Sequence, residues 1–198
     1  TASRPLRRSG EKEKPWTRAA GAASSSPAVE DFPALDRSEE VQARAVRLGT
    51  AVHEAMELLL DPSRTPPASA AEAVAAAATV LDPAGTAEAV ALVERLLGHP
   101  VVARARAARR RFVELPVLFR ADTLEDAPLV EGKIDLLFEE EDGWVVVDWK
   151  TDRVPTAAAR AEREALYAPQ LASYARALVA VLGPGTRVKE TLLAFARG

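Results

Sequence analysis

The 198-residue chain contains no cysteine, which removes disulfides, thiolate nucleophiles, thiolate zinc sites and cysteine-ligated iron–sulfur clusters together. That absence suits a reducing compartment, so a cytoplasmic location is the expectation. No apolar run approaches the length of a membrane span and no secretory signal is recognisable, so no membrane partner is expected. The sequence has no GxxxxGK[ST] motif, so the chain alone is not expected to hydrolyse ATP. Nor is there a strong charge imbalance: the formal net charge of −3 does not announce a nucleic-acid binder. Charge is concentrated locally instead, in Arg104, Arg106, Arg109, Arg110 and Arg111, a run that reads either as a solvated helix face or as a phosphate site.

What is present is enough chain for one domain with a good core plus an extra segment. Hydrophobic residues make up 48%, many of them alanine, which predicts a large helical share. The chemistry collects in Glu131–Thr151, EGKIDLLFEEEDGWVVVDWKT. Two apolar runs flank a polar turn with an Asp-Gly pair, the pattern of a β-hairpin. A turn symmetric about Glu141 and Asp142 sets Asp135 opposite Asp148. Alternation then puts Ile134, Leu136, Phe138, Val145, Val147 and Trp149 on one apolar face. The other face carries Lys133, Asp135, Asp148 and Lys150, with Leu137 and Val146 beyond. Opposed carboxylates repel, so this is either a solvated polar face or a place where a divalent cation lies between two acids. The run from Trp144 to Trp149 is too apolar for an exposed strand, and a buried Asp148 needs a partner.

The rest of the chain frames that hairpin. Residues 1–37 are rich in Pro, Ser, Ala and charge and read as a linker or flexible arm, basic at its start (Arg4, Arg7, Arg8, Lys12, Lys14, Arg18). Trp16 and Phe32 could pin it to the domain. A helix is predicted over Ser38–Leu60, capped by Ser38, with an apolar stripe of Val41, Ala45, Leu48, Val52, Met56 and Leu59. His53 lies beside that stripe, as a partly buried histidine or a ligand, and Gly49 lies on its side of the helix, leaving room for close approach. Further helices are predicted over Ser69–Leu81, Thr86–Leu97 and Pro100–Arg111. Phe112–Arg120 reads as a strand with Glu114 between apolar neighbours and Pro116 marking an edge or bulge. Asp122–Pro128 is a turn. Ala157–Tyr167 reads as helix, and Pro169 opens a new one to Leu182, on which Gln170 and Tyr174 share a face. Arg187–Ala196 is a last strand. This order is an α/β layout: a helical N-terminal part, then a small mixed sheet flanked by helices.

Taken together, Gly49-Thr50-Ala51-Val52-His53, Gly132-x-Ile134-Asp135, Asp148-Trp149-Lys150-Thr151 and Gln170-x-x-x-Tyr174 resemble the ordered motifs of the RecB-type nuclease family, within the PD-(D/E)xK superfamily. The resemblance covers roughly Ser38–Gly198. It implies a restriction-endonuclease-like fold and a nuclease domain over 38–198. It implies that His53, Asp135, Asp148 and the main-chain carbonyl of Trp149 bind Mg²⁺ or Mn²⁺. Lys150 would orient the attacking water, Gln170 and Tyr174 would support the site and touch the DNA strand, and Glu114 occupies the place of an acidic residue on the first strand. Trp149 stands where tyrosine is common, and Pro169 precedes Gln170. The four cysteines of the iron–sulfur members are missing, so no cluster is expected.

The implied activity is metal-dependent hydrolysis of DNA, exonucleolytic at ends or on single strands, in double-strand break repair and recombination. The implied context is the carboxy-terminal module of a helicase–nuclease of the RecB or AddA kind. A helicase motor would lie in cis, tethered by the basic arm, and the further partner would be a second helicase–nuclease subunit. A stand-alone nuclease of the same fold and a non-catalytic DNA- or protein-binding remnant remain the alternatives at this point.

Overall fold

Apolar alternation on either side of a two-residue turn builds the centre of the molecule. A computed structural model describes residues 39–120 and 129–198. The basic arm, Trp16, Phe32, the Ser38 cap and the Asp122–Pro128 turn lie outside the described residues. Among the described residues the elements follow in order: α1 (Glu39–Leu60), α2 (Ala70–Ala76), α3 (Pro83–Leu97), α4 (Pro100–Ala107), β1 (Arg110–Arg120), β2 (Leu129–Glu140), β3 (Gly143–Arg153), α5 (Ala157–Leu182) and β4 (Val188–Arg197). The strands form one mixed sheet in the order β1-β2-β3-β4. β1, β2 and β3 are antiparallel, and β4 returns parallel to β3 after α5. This is the α/β architecture of the restriction-endonuclease-like fold.

Each face of the sheet is covered. Leu136, Phe138, Val145, Val147 and Trp149 pack with Val52, Met56, Leu92, Leu96 and Val102 of the helical layer. Leu137, Trp144, Val146 and Leu193 pack under Leu171, Tyr174 and Leu178 of α5. Gly143 closes the hairpin at φ 143°, and a Cβ there would stand 2.6 Å from the Arg187 carbonyl, so the turn and the entry to β4 require glycine.

The β2–β3 register is the symmetric one, ending at Leu136↔Val147, so Asp135 and Asp148 are next in line but form no ladder pair. Beyond them β2 stays with β1 as far as Arg120↔Leu129, and β3 stays with β4 as far as Arg153↔Arg197. The sheet therefore forks at the two acids. The same break shifts the strand phase. Ile134 packs on the α5 side, whereas Leu136 and Phe138 pack on the helical-layer side, against the expectation of one shared face.

Other elements differ from expectation for local reasons. Val41 and Ala45 of the predicted stripe are exposed, because α1 is covered only from Leu48 onward. α2 stops at Ala76, and the freed Thr79 amide donates to the Glu54 carboxylate at 2.9 Å. α3 starts earlier, at Pro83, under an Asp82 cap. α4 ends at Ala107 because Arg110 and Arg111 join the sheet opposite Glu139 and Phe138. α5 is one helix running through Pro169, held on both sides of it by contacts with the sheet.

Candidate metal centre and active site

The fork lets side chains from both faces of the sheet meet. From α1, His53 Nδ1 lies 3.4 Å from Asp135 Oδ1 and 3.8 Å from Glu114 Oε1. One ligand atom from each of His53, Glu114 and Asp135 fits within 4.8 Å of the others. Glu114 is directed there by an unusual backbone: its φ of 48° is left-handed, and the ladder skips it between Val113↔Leu136 and Leu115↔Ile134. Its other oxygen receives Lys133 Nζ at 2.9 Å. Asp135 Oδ2 accepts the Trp149 amide at 2.6 Å, replacing the ladder hydrogen bond lost at the fork. The Trp149 side chain, 1% exposed, points the other way into the helical-layer core, so its exchange for tyrosine leaves the site untouched.

Asp148 is 2% exposed and lies outside the His53–Glu114–Asp135 group. Its Oδ2 is ion-paired with Lys150 Nζ at 2.6 Å. Lys150 is held from three sides: Asp148, the Gln170 Oε1 at 3.4 Å, and the Tyr167 ring, whose centroid lies 4.0 Å from Nζ. Gln170 Nε2 donates to the Tyr174 hydroxyl at 2.8 Å, and that hydroxyl also reaches the Lys133 backbone. Gln170 and Tyr174 thus bridge β3 and β2 across the fork. Tyr167, which pattern reading passed over, donates to Asp152 at 3.1 Å. Its signal was its place one helical turn before Gln170. Gly49 turns out not to be forced by space, since a Cβ there would make an ordinary 3.5 Å contact with Thr151 Oγ1.

The electrostatics show what the cluster wants. Burial alone would lower the His53 imidazole, but Asp135 and then Glu114 overcome it and hold the group up at about 10. Burial would raise Glu114, yet His53 and Lys133 bring it below its ordinary value. Burial, and next the Asp135 charge, push Asp148 up to about 6 against the pull of Lys150. The acids thus favour positive charge at His53, a charge that a cation held by the neutral imidazole would supply instead. One imidazole nitrogen and two carboxylates, with the buried Asp148 carboxylate beside them, are a donor set suited to a hard divalent cation.

Residues 29–197 match the PD-(D/E)XK nuclease superfamily. The chain belongs to that superfamily. Shorter stretches resemble curated proteins that are subunits of ATP-dependent helicase/nucleases. The one from Carboxydothermus hydrogenoformans is 54% identical over 67 residues, 34% of this chain and 6% of that protein. Those from Desulforudis audaxviator and Alkaliphilus oremlandii are 52% identical over 71 residues and 42% over 73. The matches span only 5 to 6% of these relatives' own length. Among the described residues no helix is long and apolar enough to cross a membrane.

Proposed function

We propose that residues 38–198 form the nuclease module of a helicase–nuclease, hydrolysing DNA phosphodiesters with Mg²⁺ or Mn²⁺, and that residues 1–37 tether it to a motor in cis. The observation that carries this reading is the convergence of His53, Glu114 and Asp135, from separate elements, at a fork in the sheet with the Asp148–Lys150 pair on the next strand. His53, Asp135, Asp148 and the Trp149 carbonyl, with Glu114 added, would hold the cation. A divalent cation bound there supplies charge neutralisation for the phosphate and a more acidic water. Imidazole tilts the preference toward Mn²⁺.

The protein's own groups do the rest. Lys150 is the cationic donor placed to aim a water and to meet negative charge developing on a phosphate oxygen. Gln170 and Tyr167 fix the direction of its ammonium. Tyr174 ties Gln170 to the opposite prong. The names of the relatives support a place in a helicase–nuclease, where the motor feeds ends or single strands and a second subunit is the partner. A cytoplasmic role in break repair and recombination follows from the same reading.

A metal-titrated digestion assay on DNA tests the reading. Asp148→Ala should abolish Mn²⁺-dependent cleavage. Its melting temperature should stay close to the wild type's, because the relief of an acid disfavoured by burial and Asp135 offsets the lost pairing with Lys150, which keeps Gln170 and the Tyr167 ring. Undiminished cleavage by that variant rejects the proposed function. Lys150→Ala, run alongside, should lose rate at every metal concentration.

A further inference from the structure

Two cavities lie one after the other along the groove between α1 and the edge strand β1. The first, about 440 Å³, is lined by Gly49, His53 and Glu57 of α1 and by Glu114 of β1. The second, about 430 Å³, is lined by Pro62, just past α1, and by Arg106, Arg109, Arg110, Arg111 and Phe112. From Glu57 to the end of α1 at Leu60 the helical rise is about 4.5 Å. From Glu114 back to Phe112 the strand rise is about 7 Å. Arg111 of β1 reaches the last carbonyl of α1, at Leu60, so the arginine cavity lies at the end of α1 next to the cavity of the metal centre.

The arginines are arranged as a site. Arg111 is fixed by donating to the Leu60 carbonyl at 2.7 Å and the Ala105 carbonyl at 3.1 Å. Burial lowers it from its ordinary value, and Arg106 lowers it further, so like charges are held together there. Arg110 is neutralised by Glu139. Arg106 and Arg109 are exposed, and among the described residues neither makes an ion pair or hydrogen bond. Phe112, 41% exposed, lies at the rim of this cavity with its ring tilted against Trp144 at 6.2 Å. Asp61 acts on Arg111 and Glu139 on Arg110 and Arg109, while exposed Arg106 and Arg109 keep guanidinium groups turned to solvent beside the site, an arrangement that fits the phosphates of a nucleic-acid strand. Glu57, on the groove wall, is engaged by Arg64 at 3.6 Å.

The geometry points to the α4–β1 junction as a strand-holding subsite, in which Arg106 and Arg109 take backbone phosphates of DNA whose scissile phosphate lies at the fork. This rests on the proposed nuclease reading and extends it. The test uses the 198-residue chain, a fluorescent dodecathymidylate, Ca²⁺ in place of Mn²⁺ for binding, and Mn²⁺ for cleavage. Both arginines are exposed, so the double variant Arg106→Ala/Arg109→Ala should melt like the wild type. It should bind the 12-mer on the order of tenfold more weakly. The slope of log affinity against log salt should become shallower by about 1.4, two phosphate contacts' worth on a single strand. Cleavage of a dinucleotide, too short to reach the cavity, should be unchanged. Wild-type cleavage with equal 12-mer affinity and salt slope in the variant overturns the subsite and leaves the nuclease reading standing. A wild type that neither binds nor cleaves DNA overturns both. Binding of oligoglutamate that the variant loses, with DNA binding intact, reassigns the cavity to an acidic peptide and overturns the proposal.

Discussion

Glu114 shows how one residue can be shaped by a site. In the middle of a strand it adopts φ 48°, a conformation that costs a non-glycine residue about 1–2 kcal/mol. Nothing in the β1–β2 ladder asks for this, because the register is the same on both sides of it. What the conformation obtains is a carboxylate placed between His53 and Lys133. Glycine tolerates that backbone and alanine does not. Glu114→Gly should therefore be more stable than Glu114→Ala by about 1 kcal/mol in urea denaturation, although both lack the carboxylate and both should cleave poorly. Equal stability of the two would show that no strain is stored there.

At the scale of elements, α5 delivers three working side chains from two sides of a proline. Pro169 cannot donate to Ala165, and a proline inside a helix costs about 3 kcal/mol or more. Tyr167 precedes the break, and Gln170 and Tyr174 follow it. The helix keeps a weak joint between the ring under Lys150 and the amide beside it. Pro169→Ala should gain up to about 3 kcal/mol in thermal unfolding while slowing Mn²⁺-dependent cleavage, as the restored hydrogen bond to Ala165 re-aims Gln170. A variant both more stable and equally active would show that the break has no part in positioning.

Across the whole molecule, Arg104 stitches the helical layer to the far end of the sheet. Its guanidinium spans Glu140 on β2 and Glu190 on β4, and Lys189 adds a second cation to Glu140. Arg104 first and then Lys189 bring Glu140 from 4.5 down to about 2. A folded value below the unfolded one means that this stability is complete above about pH 4.5 and drains away as pH falls through about 2. Glu140→Gln should thus melt below the wild type at neutral pH, with the gap narrowing under pH 4.5 and closing near 2. A gap that is constant with pH would assign the loss to packing instead of charge.

Much of this was written along the chain. Alternation and an Asp-Gly turn determined the hairpin and the register that brings Asp135 level with Asp148, because a two-residue loop allows only one symmetric pairing. Periodicity put His53 beside the buried stripe of α1, and local turn and cap residues located most boundaries. Tertiary structure decided what periodicity cannot express. The fork that separates Asp135 from Asp148, the reversal of Ile134 to the other face, and the left-handed Glu114 all arise where two strands part and side chains replace backbone partners. Pattern reading assumes an unbroken element, whereas the site is built where the pattern fails. The pairing of His53 with Glu114, far apart in sequence, depends on how α1 lies against β1, and that is set by packing of the whole core.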